Sequence, residues 1–202
     1  MTGIVLAGGR SRRMGMAKAL LRLDGETFLQ RAVSLLSEIC GQVIISAGPD
    51  LRLPAPAGYK IIVDQEPGLG PLGGLVSSLE ASNDDWHLAL ACDLPLARPE
   101  LLRLLAENAT AGPRVDAVLP RAGGRLQPLL AVYSRTCLEP AREALARGER
   151  AVAAMLDRVK TRILEEELLC QADPDLVSFT NVNTWEEYRA LRARSPERLG
   201  CG

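Results

Sequence analysis

The chain has 202 residues, a length that fits one domain able to bury roughly 70% of its unfolded surface without disulfide or metal staples. Hydrophobic residues make up 47% and charged residues 24%, an ordinary globular balance, and no apolar run approaches the roughly 18 residues of a membrane span. The 24 basic and 25 acidic side chains leave a net charge of −1, and aromatics are only 3%, which argues against a fold-wide nucleic-acid surface.

In chain order, Gly3-Ile4-Val5-Leu6-Ala7 is an apolar, partly β-branched run that reads as a buried strand ending in a glycine loop. Ala19 to Leu23 reads as a short extended segment entering a turn at Asp24-Gly25. From Thr27 to Ile39 the apolar residues fall at helical spacing, with Thr27 as the cap and Gly41 as the stop. Strands follow at Val43–Ser46 and Lys60–Val63, a helix at Gly74–Ala81, and a fully apolar strand at Leu88–Cys92 that ends at Asp93. Pro99–Asn108 is helical with proline in its first turn. Asp116–Pro120 and Leu129–Tyr133 read as strands flanking the Gly123-Gly124 turn. Helices are predicted at Cys137–Arg147 and Ala151–Arg158, a strand near Arg162–Leu164, and a last helix at Trp185–Arg194. No element is read between 165 and 184. Continuous apolar strands alternating with helices predict an α/β fold, a mostly parallel sheet covered on both faces, with ligands beyond the carboxyl ends of the strands. Residues 1–194 read as a single domain and 195–202 as a flexible tail.

The five cysteines, Cys40, Cys92, Cys137, Cys170 and Cys201, are scattered and never form C-x-x-C, so reduced thiols in a cytoplasmic protein are expected. No charged stretch followed by an apolar core suggests a secretory signal. His87 is the single histidine. Any Ser/His/Asp or Cys/His nucleophilic system would have to use it, yet its place at the start of an apolar run reads as structural.

The chemistry concentrates in Leu6-Ala7-Gly8-Gly9-Arg10-Ser11-Arg12-Arg13-Met14-Gly15, with Lys18 close behind. Glycines let the backbone approach a ligand, while Arg10, Arg12, Arg13 and Lys18 add positive charge with no acid among them. That combination suits a polyphosphate, although the Walker pattern G-x-x-x-x-G-K-[ST] and the dinucleotide pattern G-x-G-x-x-G are both absent. Asp64 and Asp93 each end a strand, where a carboxylate can hold Mg²⁺ or simply form the turn. Pro67 to Gly74 reads as a shaped loop for a flat base, feeding a helix N-terminus that favours anions. Asn183 and Thr184 read as helix caps ahead of ligand contacts, and Asn181 stays open.

The sequence resembles the molybdenum cofactor guanylyltransferases. The resemblance rests on Leu6-Ala7-Gly8-Gly9-x-Ser11-x-Arg13-Met14-Gly15-x-x-Lys18, Asp64, Gly70-Pro71-Leu72-Gly73-Gly74, Cys92-Asp93-Leu94-Pro95 and Phe179-x-Asn181-Val182-Asn183-Thr184, in the family's order. It implies a three-layer αβα nucleotidyltransferase fold, glycosyltransferase-A-like and Rossmann-like, that joins the GMP part of GTP to Mo-molybdopterin and releases pyrophosphate with Mg²⁺. It implies nucleotide contacts at Leu6, Ala7, Gly8, Gly9, Arg10, Lys18, Asp64, Gly73 and Asp93, with Lys18, Asp93 and Arg13 catalytic and Asp93 on the metal. Molybdopterin contacts are implied at Arg125, Gln127, Arg150, Asn181 and Asn183, and molybdoenzyme maturation proteins as further partners, with neither nucleic acid nor membrane. The family's base-contacting asparagine at the end of the second strand is missing; Ser46 to Gly48 stand there. Rival readings are a cytidylyl- or sugar-phosphate nucleotidyltransferase of the same fold, and a non-catalytic GTP-binding carrier of the cofactor.

Overall fold

A computed structural model describes residues 1–8, 15–48, 59–63 and 68–194. In chain order the strands are β1 (Thr2–Leu6), β2 (Arg22–Leu23), β3 (Glu26–Thr27), β4 (Gln42–Ala47), β5 (Lys60–Val63), β6 (Trp86–Ala91), β7 (Ala117–Ala122), β8 (Arg125–Leu126), β9 (Leu130–Ser134) and β10 (Thr161–Leu164). The helices are α1 (Phe28–Ser37), α2 (Gly70–Glu80), α3 (Pro99–Thr110), α4 (Leu138–Ala146), α5 (Glu166–Ala172) and α6 (Trp185–Arg194). The main sheet runs β10-β7-β9-β6-β1-β4-β5. Within it β9 alone is antiparallel to its neighbours, while β8 folds back on β7 as a short hairpin. The expected mostly parallel three-layer α/β architecture is what the chain adopts.

Alternation along each strand divides the core. Val5 and Ala7 face one side with Leu29, Leu36, Leu101 and Leu105 of α1 and α3. Ile4 and Leu6 face the other with Leu72, Leu75, Ala141 and Ala144 of α2 and α4. Both faces of β1 are therefore apolar, which is why its sequence is a continuous run and not an alternating one. A third cluster joins Leu21, Leu23 of the small β2–β3 ribbon and Phe28 of α1 to Val182, Tyr188 and Leu191, and so carries α6 to the sheet's carboxyl edge.

Several boundaries differ from expectation. Lys18–Leu20 forms one 3-10 turn before the extended β2. The segment Val152–Arg158 is a 3-10 helix, not an α-helix, and buries Val152 and Met155 at the three-residue spacing that such winding stacks on one side. Glu166–Ala172 is a helix that the sequence reading leaves blank; it buries little beyond Leu169, so its apolar pattern is thin. The tail expected at 195–202 lies outside the described residues. No helix among the described residues is long and apolar enough to cross a membrane.

Candidate active site

β1 lies between β4 and β6, and the chain leaves it first toward β4 and later returns to β6, making this the switch point where open α/β sheets bind ligands. The three strand exits are joined by main-chain bonds: Ala7 N donates to Ser46 O at 2.9 Å and Cys92 N to Leu6 O at 3.2 Å. Gly8 and Gly48 face each other there, with the Cβ that Gly8 lacks falling 3.6 Å from Gly48 N.

Asp93 sits in the turn after β6, closed by Leu94 N donating to Ala91 O at 3.2 Å. Lys18 opens its 3-10 turn, whose Ala19 is buried. From these two anchors the side chains meet: Lys18 Nζ donates to Asp93 Oδ2 at 2.9 Å and to Asn183 Oδ1 at 2.6 Å. The lysine and aspartate side chains are only 18% and 19% exposed, so water screens this pair weakly. Asp93 Oδ1 is buried and has no hydrogen-bond partner among the described residues.

Asn183 arrives from the far end of the chain. Buried Asp173 accepts from Ser178 N at 2.8 Å and pairs with Arg98 Nε at 3.3 Å, fixing the segment beneath α3. Val182 N then donates to Asp93 O at 3.0 Å. The amides of Asn183 and Thr184 donate to Glu187 Oε2 at 2.6 and 2.9 Å, while Thr184 Oγ1 accepts from Glu187 N at 3.2 Å. These bonds, the one from Asn183 N foremost, with the Lys18 charge nearby, hold the Glu187 carboxyl below its ordinary range. Tyr188 Oη donates to Arg22 O at 2.7 Å and closes the assembly. Thr184 is thus the expected cap, whereas Asn183 is not one: Glu187 satisfies the helix-entry amides and leaves the Asn183 amide oxygen for Lys18. Glu187 escaped the sequence reading, although Thr184-x-x-Glu187 is a capping-box pattern that could have revealed it.

Other expected site residues lie apart from this trio. Gly73 is buried inside the first turn of α2, where the Cβ it lacks would fall 2.3 Å from Leu69 Cβ; its glycine answers a packing demand. The stretch Gly70–Gly74 is helix, not loop, and the Leu72 amide at its start is taken by Arg150 O at 3.1 Å, so that donor is not presented to an anion. Gly70 has φ +66°, and a Cβ there would meet Arg150 O at 2.9 Å. The Arg150 guanidinium bonds Gly68 O at 3.1 Å and Glu149 O at 2.9 Å, bracing this same loop. Gln127 Nε2 donates to Ala122 O at 3.3 Å within the β7–β8 hairpin, Arg125 is exposed on that hairpin, and Asn181 is exposed beside Val182. None of Arg125, Gln127, Arg150 and Asn181 shares a hydrogen bond or ion pair with Lys18, Asp93 or Asn183 among the described residues. Gly9, Arg10, Arg12, Arg13 and Asp64 lie outside the described residues.

Among the described residues the site offers charge and no activated nucleophile. His87 is fully buried toward the other end of β6, its pKa pushed down to about 4 by burial. Burial pushes the Cys92 thiol up to about 12 and the Cys40 thiol to about 11, so neither is a thiolate at neutral pH. No group of three metal-ligating side chains exists among the described residues. The Asp93 carboxylate, with one buried oxygen unpartnered among the described residues, fits a hard ion that takes further ligands from phosphate and water.

The signature of the MobA-like NTP transferase domain matches residues 3–161. A probable molybdenum cofactor guanylyltransferase of Chloroflexus aggregans is 39% identical, covering 96% of this chain and 94% of the relative. The molybdenum cofactor guanylyltransferase of Desulfosudis oleivorans is 33% identical over 96% of this chain and 95% of its own. The crystal structure of molybdopterin-guanine dinucleotide biosynthesis protein A from Archaeoglobus fulgidus superposes with a TM-score of 0.83 at 27% identity, covering 96% of this chain and 97% of that one. At 16% identity, 2-C-methyl-D-erythritol 4-phosphate cytidylyltransferase from Thermus thermophilus shares the fold with a TM-score of 0.69, over 94% of this chain and 96% of that one.

Proposed function

The chain belongs to the MobA-like NTP transferase family, and on that premise we propose that it transfers GMP from GTP to Mo-molybdopterin, forming the guanine dinucleotide cofactor and releasing pyrophosphate. The observation that carries the reading is the meeting of Lys18, Asp93 and Asn183 at the switch point of a nucleotidyltransferase sheet, in a chain whose full-length relatives bear that name.

The chemistry asks for little beyond alignment and charge. The acceptor is a phosphate monoester, already ionised at neutral pH, so no general base is required, consistent with an inert His87 and protonated, buried thiols. One phosphate oxygen of the acceptor attacks the α-phosphorus of GTP, and the bond to the β-phosphate oxygen breaks with pyrophosphate leaving. Lys18 offsets charge on the triphosphate, and the backbone at Leu6, Ala7 and Gly8 admits the nucleotide closely because Gly8 and Gly48 present no side chains. Asp93 would hold Mg²⁺ through its unpartnered oxygen, and the ion would supply electrostatic stabilisation of the phosphate oxygens. Arg10, Arg13 and Asp64 complete the proposed nucleotide contacts by family resemblance, and Arg125, Gln127, Arg150, Asn181 and Asn183 the pterin side. For Gln127 and Arg150 this contact would act through loops they brace, and for Asn183 through the lysine it holds.

Pyrophosphate release with GTP, CTP, ATP or UTP, each with and without Mo-molybdopterin and with Mg²⁺ or a chelator, tests the reading. Release is expected only with GTP, acceptor and Mg²⁺ together. Release with CTP instead would reassign the base, and binding of GTP without release under any condition would make the protein a carrier.

A further inference from the structure

Lys18 already stands on the carboxylate that a divalent ion would need. Its ammonium is 2.9 Å from Asp93 Oδ2 and is gripped from the other side by Asn183 Oδ1 at 2.6 Å. With both charged side chains more than four-fifths covered, a second cation brought to Asp93 would meet the lysine charge at short range with little water between them. The lysine cannot simply withdraw either, because leaving Asp93 uncompensated in a covered site is costly. Its departure requires another anion to receive it.

We infer that Lys18 is a place-holding cation on Asp93, parked there by Asn183, so that a divalent ion reaches the carboxylate only together with a polyphosphate that takes up the ammonium. The inference rests on the nucleotidyl-transfer reading and adds an order to it. Asn183 becomes a positioning residue that acts through Lys18. Its own hold is built from the chain terminus: the Glu187 carboxylate fixes the Asn183 main chain, and Val182 N fixes the segment to Asp93 O. Linkage then makes the coupling mutual: whatever factor the nucleotide adds to metal affinity, the metal adds to nucleotide affinity.

The test titrates the nucleotide-free protein with Mn²⁺ alone, reading bound ion by electron paramagnetic resonance and folding by thermal unfolding. Lys18→Met is expected to bind one Mn²⁺ at least about tenfold more tightly than wild type, because the competing charge is gone. Asn183→Leu keeps the lysine but removes its second acceptor, and should fall between the two, a tightening that a merely structural role would not produce. Adding Asp93→Asn to Lys18→Met should abolish the site, and Lys60→Met, the same charge change on exposed β5, should leave wild-type behaviour. Equal Mn²⁺ affinity in wild type and folded Lys18→Met overturns the inference. If Lys18→Met does not fold, Asn183→Leu decides: tighter binding than wild type supports the parked lysine, and equal or weaker binding overturns it. Equal affinities alongside intact pyrophosphate release would sink only the parking, whereas absence of release with every nucleotide would sink the transfer reading itself.

Discussion

Asp93 serves the molecule through two different atoms. Its carbonyl oxygen receives Val182 N and so helps dock the terminal segment, while its carboxylate faces Lys18. Asp93→Asn separates these roles, since it keeps the main-chain bond and the volume and removes only the charge. Turnover measured by pyrophosphate release at saturating GTP, acceptor and Mg²⁺ is expected to fall by about 100-fold or more in a protein that still folds, its melting temperature lowered because the covered Lys18 loses its carboxylate. Near-wild-type turnover would remove Asp93 from the chemistry. The carboxylate is legible in the sequence because it ends an apolar run, where parallel sheets place their ligands. The partner Asn183 is legible only as a residue near a helix start. Its contact with Lys18 spans 165 positions, and no local pattern carries such a pairing. Arg150 misleads for a related reason: arginine on a glycine-rich loop suggests an anion, but here Nε bonds Gly68 O and Nη1 bonds Leu145 O and Glu149 O, all main-chain carbonyls.

At the scale of elements, α2 shows how glycines build an edge. Gly73 and Gly74 lie in its first turns, where alanine would ordinarily favour the helix by about 1 kcal/mol. Here the sign reverses. A Cβ on Gly73 would lie 2.3 Å from Leu69 Cβ, an atom that no side-chain rotation can move, so the backbone must shift. A Cβ on Gly74 would lie 2.4 Å from Ser46 Oγ but 3.4 Å from Ser46 Cβ, so only the hydroxyl is in the way. Gly73→Ala is therefore expected to destabilise by about 1–3 kcal/mol in urea unfolding, the ordinary range for overpacking. Gly74→Ala should cost less, and Ser46→Ala should recover part of its cost but none of the cost of Gly73→Ala, a coupling that a double-mutant cycle reads directly. Additive behaviour at positions 46 and 74 would show that α2 does not rest on the end of β4 in this way. The same density of glycine and proline explains why the start of α2 is read four residues late in the sequence. Glycine and proline signal a loop, yet proline is well suited to a helix's first turn, and the glycines leave room for Arg150 at Gly70, for Leu69 at Gly73 and for the sheet at Gly74. The strands and α1, by contrast, are legible because their evidence is local: continuous apolar runs, and the reciprocal Thr27–Gln30 cap, with Gln30 N donating to Thr27 Oγ1 at 3.1 Å.

Across the whole molecule the two edges of the sheet divide the labour. The carboxyl edge holds the proposed chemistry, while the amino edge is tied by a polar net in which Met1 N lies 3.2 Å from Asp84 and Gln42 Nε2 donates to Thr2 Oγ1 at 2.7 Å. His87 lies at that end of β6, in register with Thr2 on one side and Tyr133 on the other, and is fully buried. Burial pushes its pKa from 6.5 down to about 4, opposed by the Tyr133 main chain and Asp84, with Arg135 and the N-terminus adding repulsion. Because the folded state resists protonation, His87 costs nothing above pH 6.5; as the pH falls from there toward about 4 the unfolded chain gains the proton first and stability is lost. Between about pH 7.5 and about pH 5 the loss should be about 2 kcal/mol. The carboxyl groups of Asp84 and Glu187 are held below their ordinary values of 3.8 and 4.5, so their own contributions fade only in more acid solution. The upper window thus isolates the histidine. Urea midpoints of wild type and His87→Leu across that window supply the measurement: wild type should weaken steadily, and the variant should hold nearly level. Parallel slopes for the two proteins would mean that the imidazole is not buried neutral at the sheet's edge. If the slope does belong to His87, acid sensitivity arises at the amino edge of the sheet, away from Lys18 and Asp93.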